Sequence, residues 1–93
     1  MQPEARLVTK IIAELNKLDQ CYAQKNHGTP FGKPTVDVTG CISGRMFQIE
    51  VKLPGGKPTA RQLQTLKTWE AAGAIVGCAT SVDEALKIVL EGV

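Results

Sequence analysis

The feature that most constrains the fold is a pair of alternating, β-rich stretches, residues 36–42 (VDVTGCI) and 45–52 (RMFQIEVK). Only Ser43 and Gly44 separate them. Two turn residues between two such patterns predict a β-hairpin. Because side chains alternate between the faces of a strand, this hairpin also determines which residues share a surface.

In the second strand, apolar side chains share one face and longer or polar side chains share the other. The first face carries Phe47, Ile49, Val51 and Leu53, and the second carries Met46, Gln48, Glu50 and Lys52. If Ile42 lies opposite Arg45 across the turn, Asp37 falls directly opposite Glu50. This register keeps the apolar sets of both strands on one face, which a slip of one residue would destroy.

Two carboxylates opposed across a strand pair repel each other, so a positive charge should lie nearby. Lys52, two residues after Glu50 on the same face, is one candidate. A divalent cation is another, since Mg²⁺ takes oxygen ligands and often only one or two carboxylates. An ordinary solvated cluster of surface charges is an alternative, and a bulge at the Ser-Gly turn would shift the pairing.

The segment before the hairpin predicts a helix, because Pro3 suits a first helical position and apolar residues recur every three or four positions. Those residues are Leu7, Val8, Ile11, Ile12, Leu15 and Leu18. One turn earlier, the same stripe reaches Glu4, which we expect at the edge of the buried face. A first-turn acid that complements the helix dipole is the simpler interpretation of Glu4.

The remaining segments predict a short strand at 21–26, a long loop at 27–35, a helix at 59–73, a strand at 74–80 and a helix from 81 onward. Thr59 with Gln62 fits a capping box, as does Ser81 with Glu84. Leu63, Leu66 and Trp69 form the expected buried stripe of the second helix, which Gly73 would end. The order αβββαβα predicts an α/β fold with a central mixed sheet flanked by helices.

Composition and charge narrow the class of protein further. A chain of 93 residues indicates one domain, 1–93, and no apolar run approaches the roughly 20 residues of a membrane span. The first residues lack the pattern of a signal peptide. Three cysteines, an odd number without Cys-x-x-Cys spacing, favour buried free thiols in a reducing cytosol over disulfides or zinc.

The formal net charge is only +2, so charge alone does not predict nucleic-acid binding. Loop cations nevertheless cluster in two stretches, which contain Lys25, His27 and Lys33 in one case and Lys52, Lys57 and Arg61 in the other. These cations suit contacts with phosphates, although charge alone favours the simpler interpretation of a solvated loop.

Asp37 followed by Glu50-Val51-Lys52 resembles the signature of PD-(D/E)xK nucleases, and the wider string from Gly32 to the last helix resembles their VRR-NUC (virus-type replication-repair nuclease) branch. Gly44-Arg45, the IEVK and GGKPT stretches, Gln62 and the late ATS make the match more specific than a bare D…ExK. The "PD" departs from the pattern, because Val36 precedes Asp37. The resemblance implies a restriction-endonuclease-like core.

The resemblance also implies roles for individual residues. Asp37, Glu50 and the Val51 carbonyl would bind Mg²⁺ or Mn²⁺, with Glu4 helping to hold the metal or its water. Lys52 would orient or activate the attacking water and stabilise the scissile phosphate, and Gln62 would support the same site.

At the level of function, the resemblance implies a DNA endonuclease that acts as a homodimer on Holliday junctions or other branched DNA. It places such a protein in DNA repair, in the cytoplasm of a prokaryote or a phage-infected cell. The alternative from another class is a non-catalytic nucleic-acid-binding or assembly subunit that has kept the nuclease fold.

Overall fold

The structure, a computed structural model, describes residues 2–26 and 36–93. Its elements follow the predicted order αβββαβα. They are α1 (Pro3–Leu15), β1 (Cys21–Lys25), β2 (Val38–Ile42), β3 (Arg45–Val51), α2 (Ala60–Ala71), β4 (Ile75–Ala79) and α3 (Val82–Gly92). Within the described ranges, none of the helices has both the length and the apolar character that crossing a membrane requires.

The four strands form one mixed sheet in the order β1-β2-β3-β4, which confirms the predicted α/β class. β1, β2 and β3 pair antiparallel, whereas β4 pairs parallel to β3 and is reached through α2. Ile42 lies opposite Arg45, so the predicted hairpin register is confirmed. Ser43 and Gly44 both have positive φ, at 49° and 84°, as a two-residue hairpin turn of the primed type requires.

Helices cover the two faces of the sheet unequally. α1 contacts β1 and β3 and α3 contacts β4, so both helices cover the apolar face of the sheet, where Phe47, Ile49 and Val51 are fully buried. α2 contacts β3 and β4 and contributes a buried leucine, Leu66, that lies outside the main core cluster. Since successive residues of a strand point to opposite faces, α2 covers the face of β3 that carries the polar side chains.

The helix termini follow the predicted chemistry. Thr59 caps α2, and both hydrogen bonds of the capping box are present. Ser81 caps α3 by accepting a hydrogen bond from the Glu84 backbone N–H at 3.1 Å. Gly73 follows the end of α2 with φ of 106°, a conformation that favours glycine.

Two sequence predictions about burial are wrong. In the α2 stripe only Leu66 is buried, whereas Leu63 is 44% exposed and Trp69 is 36% exposed, because α2 packs mainly against β3 and β4. Leu53 is exposed because β3 ends at Val51.

The second wrong prediction concerns the cysteines. Cys21 and Cys78 are half-buried and Cys41 is exposed, although all three thiols are free as predicted. Cys41 is exposed because it lies on the outer part of the sheet, beyond the strands that α2 contacts.

Candidate active site

The hairpin register brings Asp37 to the end of β3 that carries Glu50. Val38 pairs with Ile49, and Asp37 directly precedes this pair. Asp37 Oδ2 accepts a hydrogen bond from the Val51 backbone N–H at 2.9 Å. The Asp37 carbonyl accepts another from the Asn26 backbone N–H at 2.9 Å, so the residue is held from both neighbouring strands.

Glu50 is almost completely buried, with 3% of its surface exposed. Burial raises the pKa of Glu50 from its ordinary value of 4.5 to about 8, and the hydrogen bond and negative charge of Asp37 act in the same direction. The positive charge of Lys52 opposes this rise in pKa, and the charge of Glu4 adds to it. The pair of carboxyl groups therefore carries both negative charges at neutral pH only if a further cation stabilises them.

Lys52 lies where two strands end together. It is half-buried and directly follows β3, and its backbone N–H donates a hydrogen bond to the carbonyl of Ala79, the last residue of β4, at 3.0 Å. Lys52 is close enough to Glu50 to lower the pKa of that carboxyl group. A carboxylate and an ammonium group thus share one end of the sheet.

Glu4 reaches the same region from α1. A cleft of about 360 Å³ lies beside the start of this helix. It is lined by Gln2, Glu4, Ala5, Val8, Lys25 and Asp37. Glu4 is half-buried, as expected for a residue at the edge of the apolar stripe. Lys25, one of the predicted DNA-binding cations, lies in this cleft at the end of β1 and is exposed.

The side chain of Gln62 is used by the capping box. Gln62 Oε1 accepts a hydrogen bond from the Thr59 backbone N–H at 2.8 Å, and the Gln62 backbone N–H donates to Thr59 Oγ1 at 3.1 Å. Among the described residues, the Gln62 side chain forms no hydrogen bond to Asp37 or Glu50. The structure therefore accounts for the capping role of Gln62 and shows no hydrogen bond from its side chain to the carboxyl pair among the described residues.

The other predicted cations differ in position. Lys57 and Arg61 flank the start of α2, and both are exposed. Neither lines the cleft that contains Asp37. His27 and Lys33 lie outside the described residues.

The carboxyl cluster contains two close acids rather than three. Across residues 2–26 and 36–93, no group of three or more His, Cys, Asp or Glu side chains is arranged to hold a metal ion. Glu4 therefore influences the charge of Glu50 without joining Asp37 and Glu50 as a third neighbouring ligand.

Two neighbours of the site were not singled out from the sequence. Cys78 pairs with Glu50 in the β3–β4 ladder, and burial and the Glu50 charge raise the pKa of its thiol. No sequence feature predicts this contact, because the parallel pairing of β3 with β4 depends on the whole fold. Gln48 lies on the same strand face as Glu50 and is only 2% exposed. Its Oε1 is buried without a hydrogen-bond partner among the described residues.

Comparison with known proteins identifies the fold. No protein-family model matches the chain, and the curated proteins give no match either. A solved structure described as a "VRR_NUC domain" superposes with a TM-score of 0.73 over 97% of this chain and 97% of that chain, at 22% sequence identity. At that identity the likeness establishes the fold. The protein has the restriction-endonuclease-like fold of a VRR-NUC domain, as the sequence predicted.

Proposed function

We propose that this protein is a metal-dependent endonuclease that hydrolyses phosphodiester bonds in DNA. The observation that carries the proposal is the buried Glu50 with the half-buried Asp37 and Lys52 beside it, in which the Glu50 pKa is raised to about 8. A strongly perturbed carboxyl group with a defined charge partner is typical of functional sites. The likeness to a VRR_NUC domain supports the same reaction class at the level of fold.

The residues fit a hard divalent cation, Mg²⁺ or Mn²⁺. Two carboxylates, from Asp37 and Glu50, and the Val51 carbonyl would hold it, and Glu4 would contribute through a bound water. Oxygen ligands and a small number of carboxylates suit these ions. The local negative charge also suits a bound cation, because Asp37 and Glu4 both disfavour ionisation of Glu50. When bound, such a metal lowers the pKa of its water and acts as a Lewis acid toward the phosphate.

Lys52 is the side chain of this protein that would act directly on the water and the phosphate. Its ammonium group would orient the attacking water and stabilise the negative charge that develops on the scissile phosphate. Gln62 would support the site in addition to capping α2. Lys25, Lys57 and Arg61, together with His27 and Lys33, would bind the phosphates on either side of the scissile bond.

The substrate that suits this molecule best is branched DNA, such as a Holliday junction. A net charge of +2 supplies little sequence-independent attraction, so selectivity would depend on the shape of the groove. A homodimer would present two active sites to two strands. The outer sheet face, where Tyr22 is 63% exposed and Met46 is 40% exposed, offers apolar surface for such contacts.

Cleavage of a DNA panel tests the proposed activity. Linear duplex, single-stranded, flap and four-way junction DNA would be incubated with the protein in Mg²⁺, Mn²⁺ or EDTA. We expect metal-dependent cleavage by wild type, loss of cleavage in Lys52→Ala, and normal cleavage in Lys67→Ala, which removes an exposed lysine on α2. Binding without cleavage in any metal would instead favour the non-catalytic subunit.

Sedimentation of the protein with and without junction DNA tests the homodimer. We expect a mass of two chains, which Tyr22→Asp would reduce to one. A single chain at all concentrations would contradict the dimer and leave the cleavage result unaffected.

A further inference from the structure

A second groove runs along the opposite side of α1 from the cleft that contains Asp37. It has a volume of about 420 Å³. Arg6 and Lys10 of α1, Leu53 and Pro54 after β3, and Thr80 and Ser81 before α3 contribute to its lining. We call this the α1–α3 groove. None of these residues was predicted to contact DNA from the sequence.

The groove has a cationic wall. Arg6 and Lys10 are four residues apart on α1, so their side chains project from the same side of the helix. Both residues are exposed. In the part of the chain that the structure describes, the one ion pair joins Lys17 to Glu14, so neither Arg6 nor Lys10 has an acidic partner there. Their charges are therefore available to an anion in the groove.

The start of α3 contributes less positive potential than a helix N-terminus usually does. Glu84 accepts hydrogen bonds from both the backbone N–H and the hydroxyl of Thr80, and Ser81 Oγ accepts the Glu84 N–H. Asp83 adds a second acid in the same turn. Attraction of an anion to the α1–α3 groove consequently depends on Arg6 and Lys10 rather than on the α3 dipole.

The groove is connected to the candidate active site through residues that are adjacent in the chain. Leu53 and Pro54 directly follow Lys52, and the Lys52 backbone is hydrogen-bonded to Ala79, the residue before Thr80. Glu4, on the other side of α1, faces the cleft beside Asp37. A strand bound with a phosphate near Lys52 would therefore lie next to the residues that begin the α1–α3 groove. Leu53 and Pro54 would offer apolar contacts to its sugars.

We propose that the α1–α3 groove binds the sugar-phosphate backbone of the DNA substrate next to the scissile phosphate, through Arg6 and Lys10. The proposal rests on the proposed function, because it places the groove along the path of a DNA strand bound at Lys52. Its ligand is a nucleic-acid backbone, which is the polyanion that two exposed cations and an adjacent phosphate site would recognise together.

Binding of fluorescein-labelled duplex and four-way junction DNA, measured by anisotropy in EDTA over a range of salt concentrations, tests the groove. We compare wild type, the double variant Arg6→Ala/Lys10→Ala and the matched control Lys67→Ala/Lys87→Ala, which removes two exposed lysines outside the groove. Thermal unfolding of each variant confirms that it is folded. The charge-reversing pair Arg6→Glu/Lys10→Glu extends the test without altering the apolar wall.

We expect the groove variant to bind about tenfold or more weakly at 0.1 M salt, and its log–log salt slope to be smaller in magnitude by about 2, one unit for each lost phosphate contact. The control should keep the wild-type slope. An equal loss of affinity in both double variants, or wild-type affinity in the groove variant, would overturn the groove proposal. Absence of DNA binding by wild type would overturn it as well.

Binding and cleavage together distinguish failure of the groove proposal from failure of the proposed nuclease function. Cleavage by wild type together with unchanged binding of the groove variant would reject the groove and keep the nuclease. Weakened binding of the groove variant, with no cleavage by wild type in Mg²⁺ or Mn²⁺, would keep the groove and reject the nuclease.

Discussion

Gln48 and Glu50 lie two residues apart on the same face of β3, and both are almost completely buried, at 2% and 3% exposure. Their surroundings differ. Gln48 is flanked in the sheet by Thr39 and Val76, and its Oε1 has no hydrogen-bond partner among the described residues. Glu50 has Asp37, Lys52 and Glu4 close enough to change its pKa.

Burial of a polar side chain does not by itself define a site. An unpaired amide oxygen is a fixed penalty, because no bound proton or metal relieves it at Gln48. The burial penalty at Glu50 is reversible, since the carboxyl group can bind a proton or a cation. Only Glu50 therefore has a property that a metal-dependent enzyme can use.

The largest expected effect is a difference in DNA cleavage between variants of Glu50 and variants of Gln48. Glu50→Gln keeps the shape of the side chain and removes its charge, so we expect DNA cleavage in Mg²⁺ to fall by about a hundredfold or more. A metal contributes several kcal/mol to the transition state, and each 1.36 kcal/mol is a factor of ten in rate. Single-turnover cleavage of junction DNA measures this effect.

Gln48→Met is the matched control for that assay. It changes a side chain of similar length on the same strand face, and we expect cleavage within a few fold of wild type. A comparable loss of activity in both variants would mean that burial on this face, and not the Glu50 carboxylate, controls activity.

The second prediction concerns stability and pH in EDTA. The folded-state pKa of Glu50 is raised from 4.5 to about 8, so the folded state binds more protons than the unfolded state between these values. The contribution of Glu50 is complete below pH 4.5 and is lost as the pH rises through 8. We expect the free energy of unfolding to decrease by up to about 1.4 kcal/mol per pH unit in this window, relative to Glu50→Gln.

Urea unfolding of the two proteins at several pH values measures that difference. The Gln48→Met variant should retain the wild-type dependence. Parallel pH profiles for wild type and Glu50→Gln would show that the carboxyl group titrates normally and would remove the contrast with Gln48.

The third prediction separates the two roles of Gln62. Thr59→Ala should lower the stability by about 1 kcal/mol through loss of the cap, with little effect on cleavage. Gln62→Ala should lower the stability by a similar amount or less and also reduce cleavage about tenfold, if its side chain supports the site as we propose. Unfolding and cleavage assays on both variants decide between the roles. If Gln62→Ala and Thr59→Ala have equal effects on stability and equal effects on cleavage, Gln62 acts as a capping residue only.

The smallest expected effect is on the stability of Gln48→Met. Because a buried acceptor without a partner is unfavourable, its replacement by an apolar side chain of similar volume should be neutral or stabilising by up to about 1 kcal/mol. Urea unfolding measures the change. A loss of more than about 1 kcal/mol would show that the amide of Gln48 makes a stabilising contact.

The parts of the fold that depend on neighbouring residues could be predicted from the sequence. The Ser43-Gly44 turn predicted the hairpin register, and Thr59 and Ser81 predicted the starts of α2 and α3. The register was also sufficient to place Asp37 beside Glu50. Each of these features is set by chemistry within a few residues of a turn or a helix terminus.

The features that could not be predicted depend on which elements pack together. Alternation placed Met46, Gln48 and Glu50 on one face but did not show that Met46 is exposed while the other two are buried. That gradient depends on how α2 packs against β3 and β4, which alternation along one strand does not encode.

Arg45 gives a second example of a long-range contact. Its guanidinium group donates hydrogen bonds to the carbonyls of Gly73, at 3.2 Å, and Gly92. It therefore joins the end of α2 to the end of α3. No local pattern predicts contacts across 28 and 47 residues of sequence.

Calorimetric titration with Mn²⁺ at pH 7, in two buffers of different ionisation enthalpy, tests most directly whether Glu50 belongs to a metal site and Gln48 does not. A carboxyl group with a pKa of about 8 is mostly protonated at this pH and must lose its proton to bind a metal. We expect wild type and Gln48→Met to bind Mn²⁺ with release of about one proton, and Glu50→Gln to bind at least tenfold more weakly without proton release. Equal Mn²⁺ binding by all three proteins, or no binding by wild type, would contradict the assignment of Glu50 as a metal ligand.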